Sequence, residues 1–389
     1  MNNMSTGRYP YVTIIIFLAA LATLAIIFNG FQETAAVAMP NQNATNILNS
    51  TMQGVIDLGK GKPFSMAFNP VTNILYVVSP SDLNGNFQNM IYVVDAKKDI
   101  ISDTIKIGDS KRDFLRDIVV DPVTGVVYAT GEYRINKAGV TYEYDSLYLI
   151  NSKTKAYKRI SLYSEPEEGK EGDLSGIAAD QKTKTIYVGS LYPEGGNPGM
   201  YIIDPVKARV TGMLDKWESG IKDILVNPRS HQIVAIAKYD NLLSIINEST
   251  NQIVQNITVN DPIAISSNLS GTALYLASGS GEIKKIDLST GNNTSKPVGL
   301  YVQDISFNPY NNLVYVSSVN KTMQFSSNKS GSVGKLIALD PKTGVIDQVF
   351  ESEAVLGKVL SDPSTGIVYV LGFDNSKAKL FIIKPNKIN

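Results

Sequence analysis

The chain contains no cysteine, and its 389 residues include a single histidine, His231. Without thiolates there can be no disulfide, no Cys-ligated zinc, no iron–sulfur cluster and no covalently held c-type haem. One imidazole leaves little for transition-metal chemistry, so neither a metal site nor a cofactor is expected. Charge of one sign is not in excess either: Lys+Arg and Asp+Glu number 36 each. Proteins that work on phosphate backbones usually carry a basic surplus, so nucleic acid is not an expected partner. The sequence holds no GxGxxG or GxxxxGK[ST] phosphate loop and no Asp-x-Asp-x-Asp-Gly calcium loop. A Ser/His/Asp triad would have to recruit His231 from the short turn NPRSHQ at 227–232.

What is present begins with an uncharged apolar run at 11–28 (YVTIIIFLAALATLAIIF), close to the length of about 20 residues that spans a bilayer core. Arg8 precedes it and residues 29–59 hold no Lys or Arg. The positive-inside rule then puts residues 1–10 in the cytoplasm and everything beyond residue 30 outside. Ala36-Val37-Ala38 resembles a signal-peptidase site, so secretion after cleavage behind Ala38 stays open beside an uncleaved anchor. Residues 29–53 are small and polar, without apolar periodicity, and read as a flexible stalk.

The rest of the chain repeats. A short strand, a turn resembling Asn-Pro-x-Thr-Gly and a second strand containing Tyr-Val recur about every 49 residues. The copies are SMAFNPVTNILYVVS (65–79), DIVVDPVTGVVYAT (117–130), GIAADQKTKTIYVGS (176–190), DILVNPRSHQIVAIA (223–237), AISSNLSGTALYLAS (264–278), DISFNPYNNLVYVSS (304–318) and VLSDPSTGIVYVLG (359–372). Between them lie a third strand that mostly ends in Asp or Asn, as in MIYVVD (90–95), and a fourth, weakly alternating strand such as IISDTIKIG (100–108). Four alternating strands joined by Asp/Asn/Gly turns make an antiparallel meander, so the expected fold is all-β: a seven-bladed β-propeller of four-stranded blades over 54–389. The last copy stops at its third strand, and residues 54–58 (GVIDL) ahead of the first copy supply the missing fourth, which removes an open edge. The Tyr-Val second strand, the Ile/Val-Asp third strand and Ile105 to Gly108 (IKIG) in the fourth resemble the YVTN-repeat β-propeller family, including archaeal surface-layer-type propellers. That resemblance covers 54–384 and implies a fold; the shared motifs imply no particular activity.

In such a meander the loops alternate between two faces. The extra residues fall on one of them, at 80–89, 131–145, 162–174, 191–199 and 320–334, and insertions confined to one face mark an interaction face. Aromatic residues in the loops of that face, Tyr133, Tyr142, Tyr144, Tyr192 and Trp217, are the expected ligand-binding residues for a protein or glycan partner. An alternative is a lactonase- or hydrolase-like enzyme with a central carboxylate-held metal, for which Asp117, Asp223 and Asp304 at the starts of innermost strands are the candidates. A strand-leading Asp that bonds backbone amides explains the same pattern without chemistry. Sequons occur at Asn43, Asn49, Asn247, Asn256, Asn268, Asn292, Asn293, Asn320 and Asn328, with those of blades 4 and 5 mostly on the short-turn face. The expectation is a membrane-anchored, glycosylated, extracytoplasmic binding or scaffolding module.

Overall fold

The computed structural model describes residues 50–385, apart from 80, 84–85, 109–112, 163–166, 169–172, 192–198, 228, 300, 320–333 and 375–376. The apolar run at 11–28, the Ala38 site and the sequons Asn43, Asn49, Asn320 and Asn328 lie outside the described residues. Among those described, no helix is long and apolar enough to cross a membrane.

Seven antiparallel sheets of four main strands form the body, six of them running in chain order from an inner to an outer strand. The inner strands of blades 1 to 7 are Ser65–Asn69, Asp113–Val120, Asp173–Asp180, Asp223–Val226, Pro262–Ser267, Tyr301–Asn308 and Val355–Ser361. Successive inner strands contact one another round a closed circle, the last meeting the first. The molecule is a seven-bladed β-propeller.

The repeated Tyr-Val strand owes its composition to burial on both faces. In blade 1, Tyr76 and Val78 face the apolar cluster shared with blade 2, while Leu75 and Val77 face the one shared with blade 7. Each of the seven clusters fills one inter-blade interface, so the second strands read as continuous apolar runs, as in IVAIA at Ile233–Ala237. β-branched and aromatic residues suit such a pleated surface. Burial pushes the Tyr128 and Tyr275 phenols up to about 12, with Asp121 and Asp340 respectively adding to the shift.

The Asp and Asn residues that end first and third strands are turn caps. Asn69 Oδ1 accepts the Val71 and Thr72 amides, and Asp340 Oδ1 those of Lys342 and Thr343. A short carboxylate or amide thus satisfies turn N–H groups that a two-strand ladder leaves over. Blades are also cross-tied near the axis: Asn227 Nδ2 donates to Gly271 O at 2.8 Å and Asn308 Nδ2 to Gly366 O at 2.7 Å. Halfway along, Ser266 and Ser306 hydroxyls accept the Phe307 and Ser361 amides of the next blade.

Blade 7 takes its outer strand from the other end of the chain. Ser50–Lys60 pairs antiparallel with Lys377–Pro385, Val55 opposite Phe381 and Ile56 opposite Leu380. Leu58 is buried in the cluster between blades 7 and 1. The strand is longer than 54–58, because Ser50, Thr51 and Met52 also pair, with Pro385, Lys384 and Ile383.

One expected loop is ordered strand. Residues 131–145 continue the second and third strands of blade 2, Val126–Lys137 and Val140–Asn151, in unbroken register from Asn151 opposite Val126 to Val140 opposite Lys137. Ala138 and Gly139 turn the chain at φ 53° and 84°, the left-handed pair that a tight two-residue hairpin requires. Glu167–Glu168 adds a short fifth strand along Tyr142 and Glu143.

Candidate functional site

The blade 2 hairpin stands on a buried charge cluster. Glu132 is almost wholly buried; its Oε1 accepts Arg116 Nε at 3.0 Å and Nη2 at 2.6 Å, and its Oε2 accepts Arg134 Nη2 at 3.2 Å. Two guanidinium groups share the one carboxylate, with the buried Asp145 opposite Glu132 on the next strand, and pairing of this kind is what permits a carboxylate to be buried. The two arginines are held from their other sides by Phe64, 5.8 Å from Arg116 Cζ, and Phe114, 4.3 Å from Arg134 Cζ.

On the opposite face of the hairpin from Glu132 and Arg134, three of the expected ligand residues come together. Tyr133 and Tyr144 are directly opposite on the two strands, with ring centroids 6.2 Å apart and tilted by 49°. Arg159, from the outer strand Tyr157–Ser161, places its guanidinium 3.5 Å from the Tyr133 ring centroid. Tyr142 lies nearer the tip under Lys137 Nζ, at 5.8 Å. All three tyrosines are only partly buried. Lower on the same hairpin face Tyr148 is fully buried and donates to Asp113 Oδ1 at 2.5 Å, which anchors the hairpin to its own inner strand.

The other expected aromatic residues fall elsewhere. Trp217 is a core residue, 4% exposed, packed among Met200, Ile221 and Ile246 with its indole N–H donated to Ser244 Oγ at 2.9 Å. It closes the interface between blades 3 and 4 and presents no ring to a ligand. Tyr192 lies outside the described residues. Of the sequons, Asn247, Asn256, Asn292 and Asn293 are exposed and Asn268 is half-buried. Asn247 and Asn268 use their side-chain oxygens to cap their own turns.

The axial channel holds the second constellation. The residue four positions ahead of each strand-ending Asn or Asp reads, from blade 1 to blade 7, Ser65, Asp117, Gly176, Asp223, Ala264, Asp304 and Lys358. The carboxylates do converge, and a lysine sits among them. Lys358 Nζ is 3.6 Å from Asp304 Oδ1, and Lys222 adds a second ammonium next to Asp223. The carboxylate oxygens are largely committed to the inner strands. Asp304 Oδ2 accepts Val359 N of the next blade at 2.7 Å; Asp223 accepts its own neighbour Ile224 N at 2.9 Å and Ile265 N of the next blade at 3.1 Å. Asp117 accepts Ile118 N and the Ser65 hydroxyl of the preceding blade. Gly176 is required by this closeness: at φ +66° a Cβ there would lie 2.8 Å from Asp223 Cα.

Charge and burial act together in the ring. Burial pushes Asp223 up to about 6, against the pull of Lys358 and with the push of Asp304 and Asp117. Asp304 is raised for the same first reason. Lys358 is raised by Asp304 foremost, against burial, whereas burial lowers Lys222. Lys358 keeps 32% of its side chain accessible, as expected of a group that lines a channel instead of filling a core. No model of a known protein family and no curated protein matches this chain. The functional reading therefore rests on the two constellations themselves.

The ring geometry is that of an inter-blade clamp. Lys358 is the ion-pair partner of Asp304 within the ring, so one of the three candidate carboxylates is already matched by a cation. Lys358 escapes the sequence reading because the seventh copy is aligned from Val359, one residue too late. Glu132 escapes it as well, since a carboxylate buried by two arginines cannot be told from a solvated one without coordinates.

Proposed function

We propose that the chain is a membrane-anchored, extracytoplasmic propeller that binds a protein or glycan at the cell surface through the blade 2 hairpin. Propellers commonly serve as binding or scaffolding modules, and insertions on one face are where such modules meet partners. The observation that carries the reading is the Tyr133–Tyr144 pair with Arg159 against one ring and Lys137 over neighbouring Tyr142 on the same face. Aromatic faces held by cations lose little freedom on binding, and such residues dominate interface energetics. The cations on this face, Arg159 and Lys137, favour a ligand with negative groups, an acidic oligosaccharide or an acidic protein segment. Export is supported by the uncharged run at 11–28 and the lysine- and arginine-free stretch behind it. Membership of the YVTN-repeat family is consistent with the Tyr-Val strands and belongs to the same proposal.

The test is to present the full chain to immobilised neutral and acidic oligosaccharides and to proteins of a cell-surface extract. A ligand should be retained, its capture should weaken with salt, and Tyr133→Ala/Tyr144→Ala should reduce affinity at least about tenfold. Unchanged capture by a double variant that melts like the parent protein would refute the assignment.

A further inference from the structure

The only histidine of the chain stands in an unusual place. In all seven blades the turn between first and second strands contains one left-handed residue: Asn73, Gly125, Lys184, His231, Gly271, Asn312 and Gly366. Asn and Gly take that conformation most readily. Blade 4 puts an imidazole there. The residue after the strand-ending Asp or Asn of each third strand is Ala96, Ser152, Pro205, Glu248, Leu288 and Pro341 in blades 1 to 6. Only blade 4 has a carboxylate in that slot.

The fold brings these two departures to one point on the short-turn face, together with Asp180, the buried cap that ends the inner strand of blade 3. One ligand atom from each of Asp180, His231 and Glu248 lies within 4.8 Å of the others, and His231 Nδ1 is 3.8 Å from Asp180 Oδ1. Asp180 Oδ1 also accepts the Lys182 amide at 2.8 Å and Oδ2 the Thr183 hydroxyl at 3.1 Å, which fixes the carboxylate in place. His231 Nδ1 and Glu248 Oε1 are both sealed from solvent, and neither has a hydrogen-bond partner. Two buried lone-pair atoms left without a donor beside a second carboxylate are costly unless something positive sits between them. Blade 3 offers an internal control. There Lys184 occupies the His231 slot and reaches Asp121 Oδ2 at 3.8 Å as an ordinary ion pair, with Pro205 in the Glu248 slot.

We propose that Asp180, His231 and Glu248 form a binding site for a divalent d-block cation of the Zn²⁺ kind, stapling blade 3 to blade 4. One imidazole nitrogen and two carboxylate oxygens are a ligand set such ions accept, and an all-carboxylate site for Ca²⁺ would not employ the histidine. Bonds of about 2.0–2.2 Å bring tetrahedral donors to roughly 3.4 Å from one another, so the groups need only small side-chain movements to close. His231 keeps 30% of its side chain accessible, which supplies the path in and leaves a coordination position facing solvent.

The experiment is a calorimetric titration of the metal-free full chain with Zn²⁺ near pH 7.5, paired with melting curves in EDTA and in excess Zn²⁺. The wild type should bind one equivalent and melt higher with zinc, by mass action on the folded state. His231→Lys restores the arrangement of blade 3: it should melt like the wild type in EDTA and lose the zinc response. Glu248→Gln should weaken binding at least about tenfold. Absence of zinc uptake by the wild type, or a His231→Lys variant that binds as the wild type does, would overturn the site and leave His231 as a plain counter-ion of Asp180. Binding of Ca²⁺ that is indifferent to His231→Lys would overturn it equally.

Discussion

The channel ring and the Asp180–His231–Glu248 group use similar residues to opposite ends. Each brings carboxylates from neighbouring blades within reach of a basic group. In the ring, the carboxylate oxygens meet backbone amides, a hydroxyl or Lys358, so the charges are spent on holding inner strands together. In the second group, two buried atoms meet no donor at all. Proximity of carboxylates therefore says little by itself; hydrogen-bond satisfaction separates a clamp from a site.

The sharpest way to break this comparison is Asp304→Ala. It strands Lys358 in the channel and the Val359 amide without an acceptor, and removing one partner of a buried pair costs about 3 kcal/mol. Thermal unfolding should fall by roughly 5–10 °C, and Asp304→Ala/Lys358→Met should recover part of it. A neutral single variant would show that the ring is not a clamp.

A smaller effect concerns pH. Asp223 titrates at about 6 when folded, above the unfolded value of about 3.9. The folded state therefore holds this proton longer, and its contribution to stability is present below about pH 4 and lost as pH rises through 6. The difference in melting temperature between Asp223→Asn and wild type should shift in favour of the variant over that window. A difference that stays flat from pH 4 to 6 contradicts the ring electrostatics. The smallest effect belongs to the open group: in EDTA, His231→Ala and Glu248→Gln should each change stability by less than about 1 kcal/mol, since both side chains are only partly buried. Large losses there would make the group a clamp too.

Strands and blade count were readable from sequence because the period of two, the Tyr-Val pair and the turn-capping Asp or Asn all recur in copies that check one another. Closure was readable for the same reason, since one copy lacks a strand that another segment supplies. Single residues between the repeats were not. Trp217 looks like a loop aromatic because the sequence does not show Met200 and Ile246 closing over it. The stretch 131–145 carries hairpin signals in Tyr142-Glu143-Tyr144 and Ala138-Gly139, yet its polar residues outweigh them. The Asp180–His231–Glu248 group draws on two blades and three separate turns. Comparing equivalent slots across copies would have flagged His231 and Glu248 as departures, but only the fold puts Asp180 between them.

The closing strand also sets an order of events during synthesis. Ser50–Lys60 leaves the ribosome before any blade exists, and its partner Lys377–Pro385 follows only after the strands of the other six blades. At about 5–20 residues per second the wait is roughly 15–60 s. Throughout it the apolar side of the first strand, including Leu58, has no sheet to join, and blade 7 does not yet exist to receive it. Completion of the ring is then a single late encounter between distant segments, which is slow compared with the local hairpins of each blade. A neighbouring nascent copy offers the same partner strand, so high local concentration of newly made chains favours exchange of residues 50–60 between molecules.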